Sequence, residues 1–233
     1  MKPRGGCGFD EDGFEIIPDV LSEAECDRLA RELSTLYDEE RAATARRVGG
    51  VRNLLRTSSA VAKVAGCPAL KTILRARRIR DGFPVRALFF DKNPQANWRV
   101  PWHQDQAIAV VERIETEGFN GWSVKDGVTH VQPPREILEN MAAIRLHLDD
   151  CNSSNGALKV IPGSHRGGRL DPNEIEACLA KSIICEISKG AALLMRPLLL
   201  HSSSPATNPS HRRVLHIEYA TAELPNGLKW SRS

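Results

Sequence analysis

The chain reads as a mainly β protein, a sandwich or barrel with helices ahead of it. Three observations predict this class. Residues 1–80 carry helix caps and helical spacing, residues 81–222 carry many short β-rich runs, and polar turn signals separate those runs. At 233 residues the chain buries roughly 70% of its unfolded surface on folding, so it needs no disulfides. We expect one domain over residues 1–233, with a helical first part and a β core.

The first helix is predicted over 22–37. Ser22 is a good N-cap, Glu25 stands three residues later as in a capping box, and Leu29, Leu33 and Leu36 recur at helical spacing. Shorter helices are predicted over 58–67, ending near Gly66 and Pro68, and over 68–78. Strands are predicted over 85–90, 108–111, 142–148, 157–161, 191–195, 198–202 and 214–220. Asn93-Pro94, residues 152–156, Pro162-Gly163 and Asn208-Pro209 supply the turns. Residues 172–180 read as a short helical insertion. Residues 112–139 are polar, bear Gly and Pro, and have weak strand character, so they read as a long loop. Such a loop inside a compact domain is usually functional, often a lid.

Composition narrows the function. The six Cys (7, 26, 67, 151, 178 and 185) are scattered with no CxxC pair, as expected of free thiols in a reducing cytoplasm. The first residues have no apolar core behind them, which argues against a signal peptide. The longest apolar stretch, 190–200, is broken by Arg196 and Pro197, so no membrane span is expected. Arg75-Ala76-Arg77-Arg78-Ile79-Arg80 is the only local charge run. It reads as a solvated helix end, since a net charge of +3 is too small to favour nucleic acid.

The candidate chemistry rests on Trp102-His103-Gln104-Asp105 and on the distant His201. In a strand, positions i and i+2 point the same way, so His103 and Asp105 can share a side. With His201 they make a two-His, one-carboxylate set that covers one face of a metal and leaves the other open. That suits non-haem Fe(II) oxygen chemistry. Alone, an HxD triplet is common, and a lone His beside an apolar strand is more often a capped core residue. Further on, Arg212, Val214 and His216 share one face of a predicted strand, and Arg213, Leu215 and Ile217 the other. One arginine of the pair can therefore point into the barrel. A buried arginine is costly unless paired, and a carboxylate cosubstrate would pair it.

These pieces occur in a telling order. Trp102-His103-Gln104-Asp105 is followed by Leu148-Asp149-Asp150, Asn155-Gly156-Ala157-Leu158, Pro162-Gly163-Ser164-His165, His201 and Arg212. The ordered set resembles the phytanoyl-CoA dioxygenase family of Fe(II)/2-oxoglutarate oxygenases, over more than half of the chain. The resemblance implies a double-stranded β-helix (a jelly roll, cupin-like) with the N-terminal helices packed on one sheet. It implies Fe(II) held by His103, Asp105 and His201, with 2-oxoglutarate and O2 as cosubstrates. It further implies that Arg212 pairs the far carboxylate of 2-oxoglutarate, with Arg213 the alternative. Ser203 would hydrogen-bond that carboxylate and Trp122 would line the cosubstrate pocket; a polar strand end and lid packing are the plain readings of those two. Ser164 and His165 read as fixing backbone groups in a turn, and Asn155-Gly156 as a turn between strands.

The activity implied is hydroxylation of an unactivated carbon, with succinate and CO2 released. Halogenating relatives vacate the carboxylate position, and this chain keeps Asp105. Desaturation, cyclisation and epimerisation use the same ligands. Arg145 and His147 share one face of the 142–148 strand and are candidate substrate contacts if that face lines the barrel; a structural ion pair of Arg145 is the plain alternative. His130, Gln132, Asn97 and Trp98 are further candidates. These residues suggest a small polar substrate bearing a carboxylate or another anionic group. A lipid or acyl substrate is the rival within the enzyme class. A non-catalytic jelly-roll module that binds metal or ligand is the rival outside it, and nucleic-acid modification stands last.

Overall fold

The computed structural model describes residues 8–44 and 50–233; Cys7 and the extreme N-terminus lie outside them. The chain begins with α1 (Phe9–Asp12) and β1 (Phe14–Ile17), then α2 (Glu23–Thr44), α3 (Leu54–Thr57), α4 (Ser59–Ala65) and α5 (Pro68–Ala76). The β core follows: β2 (Phe83–Lys92), β3 (Val100–His103), β4 (Ile108–Val110), β5 (Asn120–Lys125) and β6 (Val128–Gln132). After α6 (Arg135–Glu139) come β7 (Ala142–His147), β8 (Leu158–Val160), α7 (Pro172–Cys178), β9 (Ile183–Ile184), β10 (Ala192–Met195), β11 (His201–Ser203) and β12 (Arg212–Ala220).

Two antiparallel sheets make a jelly roll. The larger runs β1-β10-β7-β12-β2 and the smaller runs β3-β11-β8-β9. Ala143, Leu193 and Met195 of the larger sheet pack with Leu158 and Val160 of the smaller one, closing the barrel from inside. The other face of the larger sheet presents Ala87, Phe89, Ile144, Leu146, Leu194, Leu215, Ile217 and Tyr219 to the helices. There it meets Leu29, Leu33 and Tyr37 of α2, Val61 of α4 and Leu74 of α5. The period-2 alternation thus sorts the larger sheet into an apolar outer face and a mixed inner face. Tyr219 crosses to the helices, its hydroxyl donating to Ala65 O at 3.0 Å.

The caps read from sequence are formed. Ser22 Oγ accepts from Glu25 N–H, and the Glu25 carboxylate accepts from Ser22 N–H at 2.8 Å. Ser58 caps α4 by accepting from Val61 N–H. The basic run 75–80 sits at the end of α5, where Arg77 pairs with Glu15. The five described cysteines are free.

Three elements differ from expectation. Residues 198–200 form a turn, not a strand, and β11 begins only at His201. Pro197 sits in this turn, its carbonyl accepting from Asp105 N–H at 2.9 Å. Residues 112–139 are not coil throughout: β5 and β6 form a hairpin that pairs with β4. Its turn is Asp126-Gly127, both at positive φ (48° and 74°), a two-residue turn whose DG signal lies in the sequence. Finally β1, inside the helical first part, joins the larger sheet beside β10.

Candidate metal centre

β3 and β11 are neighbours in the smaller sheet, and His103 stands directly opposite His201. The two rings lie 4.1 Å apart between centroids. Asp105 follows β3 in a short extended segment and approaches both, with Oδ1 3.7 Å from His103 Nε2 and Oδ2 3.8 Å from His201 Nε2. One ligand atom from each of the three lies within 4.8 Å of the others.

Local hydrogen bonds aim these groups. His103 Nδ1 is 2.9 Å from Pro101 O, and His201 Nδ1 is 2.9 Å from Leu199 O. A carbonyl only accepts, so each Nδ1 carries the proton and each Nε2 lone pair faces the centre. Burial pushes His201 down to about 4, partly opposed by Asp105, so its imidazole is neutral at pH 7. Burial pushes Asp105 up, but His201, His216, His103 and Arg86 outweigh it and hold the carboxyl below its ordinary value. A neutral imidazole and an ionised carboxylate are the forms a metal needs.

The residues between the ligands are staples. Gln104 donates to Gly168 O (2.7 Å) and Leu198 O (2.6 Å) and accepts from Leu170 N–H (2.9 Å), tying β3 to both flanking loops. Ser164 Oγ accepts from Leu200 N–H at 2.8 Å, fixing the approach to His201. His165 Nε2 is 3.2 Å from Asp10 O, so it ties the same turn to α1.

The inner face of the larger sheet supplies the opposite wall. Arg212 is buried there, while Arg213 faces outward and makes a bidentate pair with Asp149 at 2.6 and 2.7 Å. Arg212 has no salt bridge among the described residues, and its Nε–H is buried without a partner. Directly opposite it on β2 is Lys92, fully buried. Lys92 Nζ donates to Ser203 Oγ (2.8 Å) and Ser204 O (2.6 Å), and Ser203 in turn donates to Gly156 O. Burial, then the Arg212 charge, push Lys92 down to about 8. Two buried cations thus lie side by side, and neither makes a salt bridge among the described residues. Gly156 makes this arrangement possible: at φ +83° a Cβ there would come within 2.9–3.0 Å of Lys92.

The other candidates are placed as follows. Arg145 and His147 do line the inner face. Arg145 lies over the Phe90 ring and 3.2 Å from His216 Nδ1, and makes no salt bridge among the described residues. Burial and the Arg145 charge press His147 well below its usual range, so it is neutral; neither ring nitrogen has a partner. Trp98 is half-buried with the Lys92 ammonium 5.5 Å from its ring. Both ends of the Asn97 amide are occupied by the Ala206 backbone. His130 is buried on β6 with Nδ1 held by Val128 O and Nε2 unpartnered. Trp122 packs with the apolar cluster around Ile108 and Phe119, under Arg113. Lys92, Arg86 and Glu218 were not singled out by sequence reading, and His216 only by the face it shares with Arg212. Their strands alternate, but a charged residue in such a strand reads as solvent-facing until the partner sheet is known.

Comparison with known proteins follows the same lines. The phytanoyl-CoA dioxygenase (PhyH) family model matches residues 9–214. The L-proline trans-4-hydroxylase of Streptomyces griseoviridis is 26% identical, over 91% of this chain and 83% of its own length. The ectoine dioxygenase of Nocardia farcinica (strain IFM 10152) is 29% identical, over 68% of this chain and 49% of its own. Among solved structures, EctD from S. alaskensis with bound Fe aligns with a TM-score of 0.70 at 18% identity, covering 91% of this chain and 74% of that one.

Proposed function

The chain belongs to the phytanoyl-CoA dioxygenase family and is a 2-oxoglutarate-dependent non-haem iron dioxygenase; on that premise we propose that it hydroxylates an unactivated carbon of a small polar metabolite. Iron would be held by His103, Asp105 and His201. The donor set fits: two lone pairs and a carboxylate converge, and both imidazoles are oriented from behind by backbone carbonyls. 2-Oxoglutarate also fits, because Arg212 and Lys92 are buried cations awaiting an anion. When bound, these groups supply the oxidising chemistry: O2 is reduced as 2-oxoglutarate becomes succinate and CO2, and one oxygen enters a substrate C–H bond.

The protein's own part is placement. Arg212 and Lys92 anchor the far carboxylate of 2-oxoglutarate from the larger sheet, and Ser203 fixes the ammonium of Lys92. Neutral His147 and the Phe90 ring form the wall between that anchor and the metal ligands. The observation that carries a polar substrate is the charged lining of the inner face, which an acyl chain would leave without hydrogen bonds. The names of the two relatives, for L-proline and ectoine, agree with a small metabolite. Among the described residues no helix is long and apolar enough to cross a membrane.

The test is anaerobic. Fe(II) and 2-oxoglutarate added to the purified protein should produce a visible metal-to-ligand charge-transfer band. The band should vanish in His103→Ala and weaken in Arg212→Ala, and succinate release should then report substrates. Folded wild type without a band would refute the assignment.

A further inference from the structure

Strand register orders the inner face of the larger sheet. Along β12 the inward residues are Arg212, Val214, His216 and Glu218, each about 7 Å from the next. The opposing β2 row is Lys92, Phe90, Leu88 and Arg86. Lys92 and Arg212 occupy one end. One step beyond His216, at the other end, Arg86 and Glu218 face each other, with Nη1 3.0 Å from Oε1. The charges of His216 and Arg86 act on Asp105, and that of Asp105 acts on Glu218. The pair therefore lies within electrostatic reach of Asp105, at the end of the row opposite Lys92 and Arg212.

We propose that Arg86, Glu218 and His130 form the substrate subsite, and that it takes a compact dipolar amino acid, its carboxylate on Arg86 and its cationic nitrogen on Glu218 and His130. This rests on the oxygenase reading above and names the substrate class of that site.

Four observations support it. First, the pair is incompletely used. Of the five Arg86 N–H donors only Nη1–H has a partner among the described residues, and Glu218 Oε1 takes both Arg86 and, at 3.5 Å, His216 Nε2, while Oε2 has no partner. None of these spare atoms is sealed from solvent. Second, His130 is 2% exposed and its Nε2 has no partner. Its Nδ1 carries the proton toward Val128 O, so Nε2 is an acceptor awaiting a donor. Third, Val85 of β2 and Ala220 of β12 pack in one apolar cluster with Val131 of β6, which places the hairpin strand against the same end of the barrel. Fourth, an ion pair whose side chains are 15% and 10% exposed adds little net stability over apolar residues of the same volume, so packing alone does not explain this one. The subsite holds one cation and one anion. A purely anionic substrate would face Glu218 and Asp105, and a purely cationic one would face Arg86. An acyl chain would strip both of water and return no hydrogen bonds. A dipolar molecule meets both charges.

The experiment uses the intact protein with Fe(II) and 2-oxoglutarate under argon. The twenty coded amino acids are titrated, each beside its deaminated carboxylate and its decarboxylated amine. Binding is read by calorimetry and by a shift of the charge-transfer band. At least one amino acid should bind, with both single-charge analogues weaker by 30-fold or more. Arg86→Gln and Glu218→Gln should each weaken it by tenfold or more and leave 2-oxoglutarate affinity within twofold. His130→Phe, which leaves the ion pair intact, should weaken it similarly; it covers the case in which breaking the pair unfolds the chain. A normal band with no amino acid bound, with an analogue bound as tightly, or with less than threefold loss in all folded variants overturns the proposal. An absent wild-type band overturns the oxygenase reading beneath it instead.

Discussion

Replacing Lys92 by Met should make the protein without 2-oxoglutarate more stable at pH 7 and a poorer binder of 2-oxoglutarate. Lys92 is fully buried, and its pKa falls from 10.5 to about 8. At about 1.36 kcal/mol per unit, holding that charge costs on the order of 3 kcal/mol. Met keeps the volume but loses the bonds to Ser203 Oγ and Ser204 O, about 1 kcal/mol each. The net gain at pH 7 is about 1 kcal/mol. The sign follows from the direction of the shift. Below about pH 8 the folded chain carries the buried charge and the penalty is complete. Between about 8 and 10.5 the unfolded chain binds more protons, so wild-type stability rises with pH, and above 10.5 the penalty is gone. The variant's advantage should therefore shrink above pH 8 and reverse by about 2 kcal/mol near pH 10.5. Urea unfolding of both proteins at pH 7 and 10.5 measures this difference, in which the titration of other groups cancels. With 2-oxoglutarate bound, the ammonium meets a carboxylate and its cost becomes a gain. Losing roughly 2 kcal/mol of that pairing, with Arg212 still present, weakens 2-oxoglutarate roughly 30-fold in an anaerobic titration. A variant destabilised at pH 7, with 2-oxoglutarate affinity within threefold of wild type, would refute the reasoning.

Other substitutions separate the anchor from its surroundings. Arg212→Ala should weaken 2-oxoglutarate by roughly 100-fold or more, whereas Arg213→Ala should cost only about 1–2 kcal/mol in a melt through the half-buried Asp149 pair and leave the charge-transfer titration unchanged. Gly156→Ala puts a methyl against Lys92 at positive φ; a stability loss of about 1–3 kcal/mol and a weaker 2-oxoglutarate titration should appear together. Gln104→Ala frees the loops beside both histidines and leaves carbonyls unpaired, so iron affinity by equilibrium dialysis should fall roughly 10–100-fold. Leu215→Ala, on the outer face, should cost about 2–5 kcal/mol in urea unfolding while the folded fraction keeps its band.

Local chemistry made much of the chain legible. Ser22 and Glu25 announce α2, and alternation along 212–220 separates Arg212 from Arg213 before any sheet is known. Legibility failed where a local signal competed with a distant one. Leu198, Leu199 and Leu200 look like a strand, yet their backbone turns because Gln104 and Ser164 hold it from other loops. The 112–139 segment looked like coil because β5 is largely exposed on both faces and so lacks a clean alternation, although Asp126-Gly127 marks its hairpin.

The sequence by itself determined the ligand types, their order and the faces they share, because side-chain direction in a strand depends only on position along it. Only the tertiary structure decided which rows meet. Lys92 opposes Arg212, and Arg86 opposes Glu218, across gaps of more than a hundred residues closed by the register of β2 on β12. A charge within a strand looks solvated until a second sheet covers it. Register and closure are collective properties of the packed barrel, and they turn four ordinary surface-type residues into two largely buried charged clusters at opposite ends of one sheet face.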